Sequence, residues 1–153
     1  MSFLENRVPP PLIGILFGVL MQRLSTLSSG IEWSDTLRVL IASVIVSLGG
    51  LFCLIGVLAF RRAKTTVNPL KPDDATSLVT SGIYQVSRNP MYVGFALFLV
   101  AFGVYLSAPL SFVGVIGFIL YMNQFQIKPE ERAMEEVFGE EFVIYKSKVR
   151  RWL

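Results

Sequence analysis

From Asn89 to Ile127 the chain carries no Asp, Glu, Lys or Arg, and Pro109 stands near the middle of that run. A chain that crosses a bilayer and turns at Pro109 brings both ends of the run back to one membrane face. Those ends are polar and specific. On one side lies Gly82-Ile83-Tyr84-Gln85-Val86-Ser87-Arg88-Asn89-Pro90-Met91-Tyr92-Val93-Gly94, and on the other Pro129-Glu130-Glu131-Arg132. An arginine and a pair of carboxylates are thereby expected to meet at one water–lipid boundary.

The rest of the chain agrees with a membrane setting. Val39–Phe60 is also free of charge, and as a helix it would be roughly 33 Å long, enough to cross the hydrocarbon core. A hydrophobic fraction of 53% and a charged fraction of 16% go with these blocks. The sequence predicts an all-α integral membrane protein with four transmembrane helices near 12–27, 37–60, 91–107 and 110–127. Amphipathic cytoplasmic helices are expected to follow. The first apolar stretch starts after Pro9-Pro10-Pro11 and lacks a small-residue cleavage pattern, so it is read as a span rather than a signal peptide. At 153 residues the chain is expected to form a single domain, 1–153, with the motif-bearing region at 61–153.

Charge placement sets the expected orientation. Arg61, Arg62, Lys64, Lys71 and Arg88 fall in the central loop, and Lys128, Arg132, Lys146, Lys148, Arg150 and Arg151 in the tail. Glu32 and Asp35 occupy the loop between the first two spans. By the positive-inside rule, both termini and both motifs are cytoplasmic, and a bacterial inner membrane is the expected location. The net charge of +3 is explained by this bias, with no nucleic-acid partner. The lipid bilayer is the expected partner.

With no histidine and a single cysteine, Cys53, the chain lacks a Ser-His-Asp triad, a histidine metal site, a zinc cluster and a disulfide framework. Carboxylates, arginines, tyrosines, backbone groups or a cofactor are left to carry chemistry. Small residues on the last two spans (Gly94, Ala96, Gly103, Gly114, Gly117) are expected to let the hairpin helices approach closely. The central segment 61–89, with Pro69 and Pro72, is long and irregular, which favours a functional loop. In the tail, Met134, Phe138, Phe142, Tyr145, Val149 and Trp152 recur at helical spacings interrupted by Gly139. Two short helices on the membrane surface are expected, with Tyr145 and Trp152 at headgroup depth.

Each motif alone has a modest explanation. Pro129-Glu130-Glu131 reads as a helix start, with acids at the positive end of the dipole. Arg88-Asn89-Pro90 reads as a snorkelling arginine before a structure breaker. Together they suit S-adenosylmethionine. Glu130 and Glu131 match an ammonium, Arg88 a carboxylate, Ser81-Gly82 a close backbone approach, and Tyr84, Tyr92 or Phe125 a flat adenine.

The same residues resemble the isoprenylcysteine carboxyl methyltransferase-like and phospholipid methyltransferase-like membrane enzymes. Their pattern reads Gly-x-Tyr, Arg-His-Pro-x-Tyr-x-Gly, a transmembrane hairpin, then Glu-Glu. Gly82, Tyr84, Arg88, Pro90, Tyr92, Gly94, Glu130 and Glu131 match it, and the tail from Phe138 to Trp152 looks like the family's ending. The resemblance covers about the last 95 residues. It implies S-adenosylmethionine binding at Ser81, Gly82, Tyr84, Arg88, Asn89, Pro90, Tyr92, Gly94, Glu130 and Glu131, with no metal. It also implies methyl transfer to a lipid-like or small hydrophobic acceptor reaching the site from the bilayer. Asn89 replaces the family's histidine; it can hydrogen-bond but cannot act as a general base. A chain without histidine suits an acceptor that is already an anion, a carboxylate or thiolate. Two other readings compete: a non-enzymatic four-helix protein such as a small exporter or assembly subunit, and a fold-related membrane reductase.

Overall fold

The computed structural model describes residues 5, 7–63 and 77–153. Among these, every regular element is helical: α1 (Pro10–Ser25), α2 (Asp35–Arg62), α3 (Pro90–Leu106), α4 (Phe112–Tyr121), α5 (Lys128–Phe138) and α6 (Glu140–Lys148). A short 3₁₀ turn at Gly82–Gln85 leads into α3, and another at Pro109–Ser111 closes the hairpin. Lys64, Pro69, Lys71 and Pro72 of the central loop lie outside the described residues. The loop's two sides are joined by a Ser77 Oγ–Ala63 carbonyl hydrogen bond of 3.2 Å.

Among the described residues, two helices are long and apolar enough to cross a membrane: α2, and a continuous helical run from Pro109 to Phe138. α1 and α3 are shorter apolar helices of 16 and 17 residues. The expected spans therefore fall on helices, with boundaries moved by a few residues. Broad faces of α1 (Leu12, Ile15, Leu16, Val19), α2 (Leu40, Val44, Leu51, Leu54) and α4 (Val113, Ile116, Leu120) expose large apolar side chains. An apolar surface of this extent matches a lipid solvent rather than water.

The fourth helix does not stop where its sequence suggests. Pro129 reads as a helix start, yet the chain passes through a π-helical segment, Met122–Ile127, and continues into α5. Proline at 129 has no N–H and its ring crowds the carbonyl four residues back. Widening the turn just before it absorbs both effects. Glu130 and Glu131 consequently lie inside a continuous helical run, so a free helix N-terminus does not account for them. The break after α5 is at Gly139, where φ of 54° ends the helix, as the sequence predicts.

α3 is the buried centre of the bundle, packing against α2 along its length and touching α1 and α4. The small residues serve the α3–α4 hairpin only in part, at Gly103 against Phe112. A Cβ on Gly94 would collide with Cys53 of α2 and stand 2.6 Å from the Gly49 carbonyl. Gly114 and Gly117 of α4 face Met21 and Phe17 of α1, and Gly103 faces Phe112 and Met21. The close approaches at Gly94, Gly114 and Gly117 thus join the hairpin to the first two helices, while Gly103 lies within it. Ile13, Met21, Tyr92, Leu99, Val115, Phe118, Met122 and Ile127 form the main core, and Val79, Tyr84, Phe142 and Tyr145 a second cluster beneath the tail.

At the opposite end, Ser107 ends α3 with φ of 55°. Its carbonyl accepts from Ile31 N at 2.6 Å and its hydroxyl from Trp33 Nε1 at 2.7 Å. These bonds fasten the α1–α2 connection to the hairpin turn.

Candidate functional site

Arg88 sits in the last turn before α3, where Pro90 begins the helix. It is the residue around which the polar end of the bundle is organised. Its guanidinium donates to Glu131 Oε1 at 2.6 Å and to the Lys146 carbonyl at 2.9 Å. Its own N–H donates to the Arg150 carbonyl at 3.0 Å. Arg151 closes on the same carboxylate from the tail, with Nε 3.0 Å from Oε1 and a terminal nitrogen 2.6 Å from Oε2. Only 9% of the Arg88 side chain and 12% of the Glu131 side chain remain exposed, so water weakens this pair little. The Arg88 Nε is nonetheless buried with no hydrogen-bond partner among the described residues.

Glu130, one position earlier, faces a different environment. Tyr92 Oη donates to its Oε1 at 2.5 Å and Gln126 Nε2 donates to the same oxygen at 2.6 Å. Oε2 accepts no hydrogen bond among the described residues. Glu130 lies beyond Lys128, which ends the charge-free part of the helix. Burial raises its carboxyl to about 7, although the bonds from Gln126 and Tyr92 pull the other way and the Glu131 charge adds to the rise. The paired glutamates are thus unlike: one is clamped between two arginines, the other poised near neutrality with an oxygen that accepts no hydrogen bond among the described residues.

Asn89 does not face open space. Its Nδ2 donates to the Arg151 carbonyl at 3.0 Å, and its N–H to Ser87 Oγ at 3.1 Å. The tail is further held by Trp152 Nε1 on Asn123 Oδ1 at 3.0 Å and by Tyr145 Oη on the Tyr84 carbonyl at 2.7 Å. Burial pushes the Tyr145 phenol up to about 12, with Arg88 opposing, and it pushes the Tyr84 phenol up as well. The Tyr145 ring thus lies within a protein core rather than on the open face of the tail. Tyr145 is 8% exposed and packs with Val79, Tyr84 and Phe142, because its ring completes the small core under the loop. Arg151 likewise engages Glu131, which holds its guanidinium charged.

The ten sequence-predicted residues divide into four groups. Arg88, Asn89, Tyr92, Glu130 and Glu131 converge on one polar cluster. Pro90 and Gly94 shape the start and packing of α3. Ser81 and Gly82 lie elsewhere, on the rim of a separate cavity of about 460 Å³. Tyr84 lies buried against Phe60, ring centroids 5.3 Å apart, so its ring is already occupied by protein. Phe125 stacks near Tyr121 at 5.0 Å.

Gln126, Arg151 and Trp152 were not singled out as site residues from the sequence. Gln126 carried a signal: an amide inside an apolar span, four residues before an acid, needs a partner. Arg151 carried little, since a terminal arginine near a membrane reads as a phosphate contact.

A family model for phospholipid methyltransferases matches residues 37–141. The chain belongs to the phospholipid methyltransferase family. The matched segment includes both polar motifs and the hairpin. Individual relatives agree with a methyltransferase family. A probable protein-S-isoprenylcysteine O-methyltransferase of Oryza sativa subsp. indica is 32% identical over 72% of this chain and 58% of its own length. The protein-S-isoprenylcysteine O-methyltransferase of Saccharomyces cerevisiae is 36% identical over 47% of this chain and 30% of its own length. An uncharacterised Haemophilus influenzae protein is 51% identical over 41% of this chain and its own whole length. The chain spans little more than half the length of the rice relative and less of the yeast one. No solved structure matches it. Membership in an enzyme family replaces the exporter and assembly-subunit readings.

Proposed function

We propose that this protein is an integral membrane methyltransferase that takes its methyl group from S-adenosylmethionine and passes it to a lipid-like or lipidated acceptor at the cytoplasmic face. One observation carries this reading: Glu131, next to Glu130 on the same helix, pairs with Arg88 across 43 positions, and the Arg88 Nε is left buried with no hydrogen-bond partner among the described residues.

Arg88 and Glu130 fit the amino-acid end of the donor. Arg88 Nε suits its carboxylate and Glu130 Oε2 its ammonium. When bound, the donor supplies an electrophilic sulfonium methyl carbon. The chain contributes position. Tyr92 and Gln126 fix the Glu130 carboxyl, while Glu131 fixes both arginines, so the cluster is arranged before a ligand arrives. A carboxylate or thiolate acceptor needs no proton removed, which agrees with a site lacking histidine and with Asn89 spent on the tail.

The cytoplasmic placement rests on the Lys and Arg bias. The Glu5–Arg132 ion pair of 2.7 Å supports four crossings, because it ties the N-terminal end to the helix that follows the fourth span. The test is transfer of a radiolabelled methyl group from S-adenosylmethionine into a membrane lipid extract and small thiols. Label in an organic-extractable product, lost in Glu130→Gln, is expected. No transfer to any acceptor by protein that is folded by circular dichroism would overturn the activity.

A further inference from the structure

The cavity near Gly82 is distinct from the polar cluster. It is lined from α2 by Ile55, Leu58, Ala59 and Arg62, and from the loop by residues that include Ser81 and Gly82. Its volume of about 460 Å³ falls in the range of small-ligand sites. Gly82 adopts φ of 62°, and a Cβ there would meet nothing within 4 Å, so the backbone borders open space.

Two properties separate this cavity from a donor site. Among the described residues that line it the charged group is a cation, Arg62, and none is a carboxylate. Its α2 wall also belongs to the lipid-facing surface: Ile55 is 36% and Leu58 38% exposed. A molecule dissolved in the bilayer can reach it without crossing water. Arg62 ends α2, where the helix reaches the aqueous boundary. Tyr84 stands between the two regions. It packs with the cavity-lining Val79, Ala59 and Ile83, and its phenol feels the Glu130 charge.

We propose that this cavity is the acceptor site, taking a single-chain anionic amphiphile whose chain lies against Ile55 and Leu58 and whose head group pairs with Arg62. The proposal rests on the methyltransferase reading above and moves Ser81 and Gly82 from the donor to the acceptor. Arg62 is then a specificity residue. Its guanidinium favours a carboxylate or phosphate head and disfavours an ammonium.

The test uses two probes of equal chain length and opposite head charge, dodecanoate and dodecyltrimethylammonium. Binding to the purified full chain is followed by competition with a photoreactive fatty acid. Calorimetry with S-adenosylhomocysteine is run on the same samples. The wild type should prefer the anion by about tenfold, the size of one charge-assisted contact. Arg62→Gln should erase that preference and leave S-adenosylhomocysteine binding intact. Leu58→Trp, which fills the cavity, should block labelling by the photoreactive chain and spare the nucleoside. Anion preference surviving Arg62→Gln would overturn the assignment. So would loss of nucleoside binding in Leu58→Trp, which would make the cavity the donor's. If the wild type bound the chain probe but no nucleoside, the methyltransferase reading would fall instead.

Discussion

Replacing Glu131 by Gln keeps the shape of the side chain and removes its charge, which isolates what the arginine clamp contributes. Glu131 accepts three hydrogen bonds from two guanidinium groups. A glutamine offers one oxygen and turns an NH₂ toward a donor, so at least one of the three becomes a donor–donor clash. Arg88 is left nearly buried with neutral acceptors alone, the Lys146 carbonyl 2.9 Å away among them. Breaking a buried pair from one side costs about 3–5 kcal/mol. Arg151, with 31% of its side chain exposed, can recover water, which favours the lower end, about 3 kcal/mol. Arg151→Ala alone should cost only about 1 kcal/mol for the same reason. The double variant should be less destabilised than the sum of the two by about 1 kcal/mol or more. Equilibrium unfolding of the detergent-solubilised protein, followed by far-ultraviolet circular dichroism, measures all three. A Glu131→Gln cost below about 0.5 kcal/mol would refute the clamp, since no buried pair breaks that cheaply.

Glu130 gives a pH prediction. Its folded-state value, about 7, lies above the ordinary 4.5, so the folded protein favours the protonated form and stability declines as pH rises from about 4.5 to 7. Binding of a ligand ammonium wants the ionised form, so affinity for S-adenosylhomocysteine should rise between pH 6 and 8. That rise should vanish in Glu130→Gln, and a pH slope persisting there would assign it to another group. Gly94→Ala should destabilise by about 1–2 kcal/mol in thermal unfolding despite alanine's better helix propensity, because its Cβ meets Cys53 and the Gly49 carbonyl. Adding Cys53→Ala should restore part of that loss, and a neutral Gly94→Ala would mean that α2 and α3 pack more loosely than described. Asn89→Ala removes the bond to the Arg151 carbonyl and should cost about 1 kcal/mol by denaturant titration. No change there would show that the tail is held without it.

The parts of this molecule legible in its sequence were those signalled by an absence. A run without charge between Arg88 and Lys128 reads as a hairpin of two apolar helices, and that reading alone brought Arg88 and Glu131 together. Gly139 was legible as a break because only glycine adopts its backbone angles cheaply. Three things were not legible. Helices that are apolar all round carry no periodic stripe, so nothing said that Gly94 faces α2 or that Gly114 faces α1. Pro129 looked like a start signal because a π-helical turn that accommodates proline leaves no mark in the residue pattern. Tyr145 acts through a contact made across 61 positions, to Tyr84, and Arg151 through its guanidinium on Glu131, 20 positions away. Local spacing cannot encode such contacts, so Tyr145 was read as a membrane-surface anchor.

Isothermal titration of the purified protein with S-adenosylhomocysteine, at pH 7.5, probes the donor pocket most directly. Saturable binding by the wild type, weakened at least tenfold in both Arg88→Lys and Glu130→Gln while the folded helical signal persists, is the predicted result. Absence of binding by the wild type, or equal affinity in all three proteins, would contradict a donor site built from these two side chains.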